Sequence, residues 1–191
     1  MQPLSFERAW QAVENVRTRL LTSTAALDRV GIPYAVIGGN AVAAWVATVD
    51  EDVVRNTTDV DILINCKDLT RTVTAFGDIA FDPQETPAGI VFVERKSPSV
   101  RRGLHIFFAH EHVRPNDAYA TASTEDSTRL KDGFRVVEFT PMLIMMLTSN
   151  RLKDRVQLAD MLELNMITPE LDAALPPELR ARLDELRANP Q

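Results

Sequence analysis

The stretch DVDILI, residues 59–64, constrains the fold most, because it sets two aspartates one residue apart in an otherwise apolar run. The run predicts a β-strand, in which alternate side chains point to opposite faces of the sheet. Asp59 and Asp61 therefore share one face, while Val60 and Ile62 face the core. Neighbouring carboxylates repel each other and resist leaving water. We therefore expect something to offset this repulsion.

Two arrangements would offset the repulsion between Asp59 and Asp61. A hard divalent cation takes oxygen ligands and cancels like charge, and with Mg²⁺ the remaining positions go to water and substrate phosphates. The structural alternative is that one aspartate caps a turn while the other pairs with Arg55. Taken alone, an Asp-x-Asp pair is compatible with both arrangements.

A glycine pair upstream favours the metal-binding interpretation. The run YAVIGG predicts a short strand that ends at Gly38 and Gly39, and NAVAAWVA predicts a helix with Asn40 as its N-cap. Glycines at a helix N-terminus let the backbone approach a phosphate, although the same pair also forms ordinary tight turns. Together with Asp59 and Asp61, they provide a cradle for a triphosphate next to a site for its metal.

The rest of the chain predicts an α+β (mixed α/β) fold with two parts. Helical spacing of apolar residues predicts an N-terminal helix over 5–30, which Gly31 ends. Further strands are expected around 90–94, 104–109 and 134–139, and a helix over 67–76. Thr140 is predicted as an N-cap and Pro141 as the first helical residue, and further helices are expected to follow. We expect a sheet domain over 1–139 and a C-terminal helical segment over 140–191 packed on it.

Charge and composition narrow the partners and the compartment. The net charge of −6 opposes binding of long nucleic acid. The single cysteine, Cys66, excludes an internal disulfide and a multi-cysteine zinc site. No apolar run approaches the roughly 18 residues of a membrane span, and the N-terminus lacks the features of a signal peptide. We expect a cytoplasmic protein that does not enter the membrane.

The pattern IPYAVIGGNAVAAW…RNTTDVDILI resembles the signature of the DNA polymerase β-like nucleotidyltransferase superfamily, above all its bacterial AbiEii-type and minimal nucleotidyltransferase-like proteins. In those proteins a glycine turn precedes an R-x-T-x-D-x-D strand, matched here by Arg55, Thr57, Asp59 and Asp61. The stretch LTSNRLKDRVQLADM resembles their downstream helical motif, with matches at Arg151, Lys153, Asp154 and Asp160. The resemblance spans residues 32–165.

The resemblance implies a mixed sheet of the nucleotidyltransferase fold and a Mg²⁺-dependent site for a nucleoside triphosphate (NTP). The nucleoside monophosphate (NMP) group would pass to a hydroxyl acceptor that the sequence does not identify, with release of pyrophosphate. The implied magnesium ligands are Asp59 and Asp61, which are also catalytic. The implied nucleotide-binding or bracing residues are Gly38, Gly39, Arg55, Thr57, Lys153 and Asp154, with Lys153 as a point charge on phosphate.

Three departures from the superfamily pattern support other functions. His105 stands where a third carboxylate is expected, and a neutral imidazole can ligate a metal or act as a base, although Mg²⁺ prefers oxygen. Met146 stands where relatives often have lysine, and the interval between Gly39 and Asp59 is long. The alternatives are a catalytically eroded binding module, and the toxin component of an AbiEii-like toxin–antitoxin pair. An antitoxin or a second copy of the chain would then be a partner.

Overall fold

The computed structural model describes residues 6–131 and 133–189. Its helices and strands, in chain order, are α1 (Phe6–Arg29), β1 (Tyr34–Ile37), α2 (Gly38–Val46), β2 (Val60–Ile64), α3 (Leu69–Gly77), β3 (Phe81–Thr86), β4 (Gly89–Glu94), β5 (Leu104–Phe108), β6 (Ser127–Arg129), β7 (Arg135–Val137), α4 (Phe139–Ser149), α5 (Leu152–Glu163), α6 (Pro169–Ala174) and α7 (Pro177–Ala188). Short 3₁₀ turns lie at Glu51–Val53, Cys66–Asp68 and Val100–Arg102. The predicted mixed α/β class is confirmed.

The strands form one mixed seven-stranded sheet in the order β3-β4-β5-β2-β1-β7-β6. β2 lies at the centre, antiparallel to β1 and parallel to β5. All five residues of this central strand are buried, Asp61 included. The predicted strand is the middle of the sheet, where an uncompensated charge is most costly. Its predicted start is wrong, because β2 begins at Val60 and the half-buried Asp59 lies in a bend before it.

Two strands, β3 and β6, were not expected from the sequence. β3 (FDPQET) is largely polar and contains a proline, which is tolerated because the strand lies at the sheet edge and pairs with β4 alone. β6 has three residues inside a polar stretch that reads as a loop. Both are edge strands, so neither carries the apolar alternation that marks a half-buried strand.

α1 confirms the predicted N-terminal helix over the described residues; position 5 lies outside them. Val16, Leu20 and Leu27 of this helix are buried in the core. Phe6 and Trp10, which belong to the same helical pattern, are 85% and 62% exposed. The apolar stripe therefore reaches the core only from Val16 onward.

Two predicted helix starts are wrong. α2 begins at Gly38, with Ile37 in the N-cap position, so Asn40 lies inside the first turn. Asn40 is buried instead, and its Nδ2 donates to the Asp59 carbonyl oxygen at 2.8 Å. Thr140 is not an N-cap, because α4 begins one residue earlier, at Phe139. Pro141 fits the first turn of α4, where no intrahelical partner requires its missing N–H.

The C-terminal helices pack on one another and on the sheet domain. α4 contacts α2, α5 and α7, and α5 contacts α7. The indole of Trp45 in α2 donates to the Val137 carbonyl oxygen at 2.9 Å and meets the Phe139 ring edge-on at 5.5 Å. Ile37 at the end of β1 and Lys153 in the first turn of α5 line the same cavity. Within the described part of the chain, no helix is long and apolar enough to cross a membrane.

Candidate active site

The paired aspartates lie where three strands and one helix meet. In the sheet register, Asp61 of β2 stands opposite Ile37 of β1 and opposite His105 of β5. Ile37 is followed at once by Gly38, the first residue of α2. The sheet therefore brings the glycine pair and His105 to either side of Asp61, as the predicted site requires.

The two glycines are needed because the backbone runs directly against the aspartate segment. Gly38 has φ +63°, and a Cβ at this position would lie 2.0 Å from Oδ2 of Asp61. A Cβ at Gly39 would lie 3.0 Å from Cβ of Thr57. Only a residue without a side chain fits such an approach in the left-handed conformation. The turn is thus shaped around the Asp61 carboxylate.

The electrostatics of Asp61 are unfavourable without a partner. The residue is 9% exposed. Burial, followed by the neighbouring Asp59 charge, raises the pKa of Asp61 to about 6, while Lys153 and other cationic groups lower it only in part. Among residues 6–131 and 133–189, neither aspartate has a cationic side chain within ion-pairing distance. Thr57 Oγ1 donates to Oδ1 of Asp59 at 2.7 Å and orients that carboxylate.

The donor chemistry of Asp59 and Asp61 fits Mg²⁺. Both are hard oxygen donors, and a bound cation would offset the repulsion that raises the pKa of Asp61. A Mg²⁺ site completed by water and substrate phosphates needs only one or two protein carboxylates. In the described residues no group of three or more histidine, cysteine, aspartate or glutamate side chains forms a metal cluster. The site therefore fits a metal that arrives with, or is completed by, a phosphate ligand.

Arg55 does not pair with either aspartate, so the structural alternative that proposed this pair is wrong. Its guanidinium instead makes a two-pronged contact with Asp160 of α5: Nη2 donates to Oδ1 at 2.9 Å, and Nε donates to Oδ2. Arg55 lines a cavity of about 210 Å³ between α1 and α2, whereas Asp59 and Asp61 line a different one. The predicted contact between Arg55 and nucleotide stays a prediction.

The predicted helical residues lie at the N-terminus of α5, across the cavity from the aspartates. Asp154 is only 3% exposed and caps the helix. Its carboxylate accepts hydrogen bonds from the Arg151 backbone at 3.0 Å, from Nε and Nη2 of Arg151 at 2.8 and 3.0 Å, and from the Ser149 hydroxyl. Burial alone would raise the pKa of Asp154, but these hydrogen bonds outweigh it and lower the pKa. Asp154 therefore holds Arg151 in place.

Arg151 and Lys153 supply the positive side of the site. Both line the cavity, and both act electrostatically on Asp61. Lys153 is exposed and makes no ion pair with a described residue. The predicted set omitted Arg151, although its cluster with Lys153 and Arg155 is visible in the sequence.

His105 faces the cavity but has one nitrogen engaged. Its Nε2 lies 2.9 Å from the Val100 carbonyl oxygen. A carbonyl oxygen only accepts, so Nε2 carries the proton, and in the neutral ring Nδ1 holds the lone pair. The residue is thus tethered to the turn before β5 and keeps one basic nitrogen.

The cavity that contains these groups has a volume of about 520 Å³. One wall is apolar and is formed by α4, with Met142, Met145 and Met146. Its polar lining residues include Arg114 and Asp117. The volume and mixed lining suit a ligand with a planar apolar part and a charged part.

A buried arginine outside the cavity, Arg19 of α1, anchors the backbone of the site. Its Nη1 donates to the carbonyl oxygens of Thr58, at 3.2 Å, and Arg102, at 2.6 Å, and its Nε pairs with Glu94 at 3.1 Å. Thr58 directly precedes Asp59. Arg19 and Asn40 thus hold the segment that enters β2. Sequence reasoning missed both roles, since nothing in a helical arginine or asparagine indicates a partner so distant in the chain.

Comparison with known proteins supports the fold. No protein-family model matches the chain, and no curated protein sequence matches it. The crystal structure of an antigenic nucleotidyltransferase-like protein from Paracoccidioides brasiliensis is similar over 94% of this chain and 90% of that one, with 18% identity and a TM-score of 0.59. The solution structure of the antibiotic-resistance factor ANT(2'')-Ia is similar over 92% and 91%, with 14% identity and a TM-score of 0.51.

The chain therefore has the nucleotidyltransferase fold, in agreement with its resemblance to the DNA polymerase β-like superfamily. At 14% and 18% identity the likeness concerns the fold. The AbiEii-type grouping and the roles of individual residues stay predictions.

Proposed function

We propose that the protein binds an NTP with Mg²⁺ and transfers its NMP group to a hydroxyl acceptor. The observation that carries this proposal is the state of Asp61: it is buried, repelled by Asp59, enclosed by Gly38, and has no cationic partner among the described residues. Such an arrangement is unfavourable for a purely structural carboxylate and favourable for a cation-binding one.

The division of the chain into residues 1–139 and 140–191 becomes a division of roles in this proposal. The sheet part holds the metal through Asp59 and Asp61, and Gly38 and Gly39 present backbone N–H groups to phosphate. The helical part supplies positive charge through Arg151 and Lys153. Mg²⁺ bound at the aspartates would neutralise phosphate charge and polarise the reacting phosphoryl group.

In this proposal His105 takes the proton of the acceptor. The acceptor oxygen bonds to the α-phosphorus, the bond to the bridging oxygen breaks, and pyrophosphate leaves with that electron pair. The hydroxyl proton passes to Nδ1 of His105, while the Nε2–H of the same ring keeps its hydrogen bond to the Val100 carbonyl oxygen. His105 then occupies the position where the superfamily pattern places a third carboxylate.

The proposal is tested by ligand-dependent thermal stability. Each NTP is titrated with Mg²⁺ into the wild type and into Asp59→Asn/Asp61→Asn, with Asp117→Asn, another cavity carboxylate, as the control. A ligand that binds only the folded state adds about 2.7 kcal/mol at 100 times its Kd. We expect a metal-dependent rise in Tm for the wild type and the control, and none for the double variant. An equal rise in all three would contradict the proposal.

A catalytically eroded binding module is the second candidate, and His105 and Met146 favour it. The described residues supply no third carboxylate near the pair, and Met146 is buried in the apolar wall instead of offering a cation. A module of this kind would bind Mg²⁺ and NTP without forming pyrophosphate. Pyrophosphate release is therefore measured in the wild type and in His105→Asp. Release only in the variant would identify a wild type that binds without turnover.

Sequence resemblance also supports a toxin component of an AbiEii-like pair, with an antitoxin or a second copy as partner. The expected compartment is the cytoplasm, where the exposed thiol of Cys66 stays reduced. Induced expression in a bacterial host tests the toxin role. Growth arrest that disappears with Asp59→Asn/Asp61→Asn would support it, and normal growth at equal protein level would exclude it.

A further inference from the structure

The Arg55–Asp160 pair joins two segments that lie 105 residues apart in the chain. Arg55 belongs to the extended segment that leads into β2, and Asp160 belongs to α5. The pair uses two nitrogens and two oxygens, so it fixes orientation as well as distance. The Asp160 side chain is only 15% exposed, whereas Arg55 is 55% exposed.

Each half of the pair is close in the chain to residues of the site. Arg55, Thr57 and Asp59 belong to the segment that leads into β2, and Thr57 hydrogen-bonds to Asp59. On α5, Lys153, Gln157 and Asp160 are spaced by four and three residues and therefore share one helix face. Lys153 and Gln157 line the cavity. The Arg55–Asp160 pair therefore joins the segment that leads to the aspartates to the helix face that carries Lys153.

We infer that Arg55 and Asp160 are positioning residues that hold Lys153 of α5 against the Asp59–Asp61 pair. The inference rests on the proposed function, since it assigns Lys153 a phosphate of the nucleotide. It gives Arg55 a bracing role through Asp160 and no phosphate contact of its own, in keeping with its absence from the lining of the large cavity.

Stability and ligand binding are expected to respond differently to loss of the pair. An ion pair with one exposed partner adds little to folding, because solvent screens it. Misplacing Lys153 removes a charge-assisted phosphate contact, so Arg55→Ala should weaken binding of Mg²⁺–NTP about tenfold while the unfolding midpoint stays near that of the wild type. Asp160→Ala should weaken binding to the same extent, although Asp160 is an acid and has no attraction for phosphate.

The decisive variant reverses the pair. Asp160→Arg combined with Arg55→Asp should restore most of the affinity that each single substitution loses. Arg95→Ala is the matched control, because Arg95, directly after β4, forms a two-pronged, half-exposed pair with Asp82 of β3. Loss of affinity in Arg55→Ala but not in Asp160→Ala would overturn the inference, as would a reversed pair that binds no better than the single variants.

Hydrogen–deuterium exchange of the nucleotide-free protein separates this inference from the proposed function. Arg55→Ala should raise exchange in 55–61 and in the first turns of α5, and Arg95→Ala should raise neither. This result would support the positioning role even if the wild type bound no NTP, an outcome that defeats the proposed function alone. Unchanged exchange in both segments would overturn the inference even if the wild type bound NTP.

Discussion

Asp61 and Asp154 are both buried carboxylates on the wall of the same cavity, yet their surroundings are opposite. Asp154 accepts hydrogen bonds from Arg151 and Ser149, and its pKa is lowered. Asp61 accepts no side-chain hydrogen bond from a described residue, and its pKa is raised to about 6. Asp154 is 3% exposed and Asp61 9%, so burial alone does not separate them.

The difference shows which carboxylate the fold satisfies and which it leaves for a ligand. The fold satisfies Asp154, whose work is to orient Arg151. It surrounds Asp61 with a glycine turn, a second aspartate and distant cationic side chains. A bound cation would supply the positive charge that these surroundings lack. Both residues were predicted to lie in the site because both are acids within motifs that resemble those of the family. Only their contacts distinguish the two roles.

The largest effect is expected from Gly38→Ala, which presses a methyl group onto the Asp61 carboxylate. The steric conflict and the left-handed backbone together should lower the free energy of unfolding by about 3–5 kcal/mol. Gly31→Ala is the matched control, because Gly31 has nearly the same φ, +61°, but open space around its Cβ position. It should lose only about 1–2 kcal/mol. Denaturant unfolding measures both.

Asp61→Ala sharpens the same comparison. Added to Gly38→Ala, it removes the carboxylate that the new methyl group meets at 2.0 Å. The double variant should therefore regain most of the loss that exceeds the Gly31→Ala value, although Cβ of residue 61 still lies 3.2 Å from the added methyl group. If it regains nothing, the turn is not shaped around Asp61.

The next largest effect is expected from Asp154→Asn. The change leaves the half-buried Arg151 guanidinium without its counter-charge and weakens the helix cap, so it should destabilise the protein by about 2–3 kcal/mol. Asp184→Asn, in an exposed ion pair with Arg187, is the control and should change stability by less than about 0.5 kcal/mol. Equal losses in the two variants would mean that Asp154 has no special structural role.

Asp61→Asn should have the opposite sign. In the metal-free protein, the raised pKa means that the folded state holds the Asp61 proton more tightly than the unfolded state does. The contribution of Asp61 is therefore most favourable below its ordinary pKa of 3.8 and declines as the pH rises to about 6. Above that pH, Asp61→Asn should be more stable than the wild type by up to about 3 kcal/mol.

The pH profile separates Asp61 from Asp154 directly. Relative to the wild type, the advantage of Asp61→Asn should grow between pH 3.8 and about 6 and then level off. The lowered pKa of Asp154 gives the reverse dependence: its stabilisation is present above its ordinary pKa of 3.8 and is lost as the pH falls. Urea unfolding from below pH 3.8 to above pH 6 measures both differences. A flat difference for Asp61→Asn would contradict the burial of an uncompensated charge.

The sequence predicted the parts of this comparison that depend on local pattern. The buried aspartate strand, the glycine pair and the fold class follow from short-range alternation and turn chemistry. The edge strands β3 and β6 were missed because edge position, not apolar pattern, makes them strands. The prediction of Asn40 as an N-cap was wrong because its side chain donates instead to the carbonyl oxygen of Asp59, 19 residues away. Contacts of this kind depend on tertiary packing, which sets the partners of Arg19 and Arg55 as well.

The smallest predicted effect concerns Lys153, which lowers the pKa of Asp61 from across the cavity. Its side chain is exposed, so solvent screens the interaction, and Lys153→Gln should raise the pKa of Asp61 only slightly, an effect of about 0.5 kcal/mol or less. NMR titration of labelled aspartate carboxyl carbons measures the shift, and Lys67→Gln, beyond the other end of β2, is the control. An unchanged pKa would place Lys153 too far from Asp61 to share a phosphate ligand with its metal. A rise in the pKa of Asp61 in Lys153→Gln alone would show that the helical segment supplies positive charge to the carboxylate that the sheet leaves without a partner.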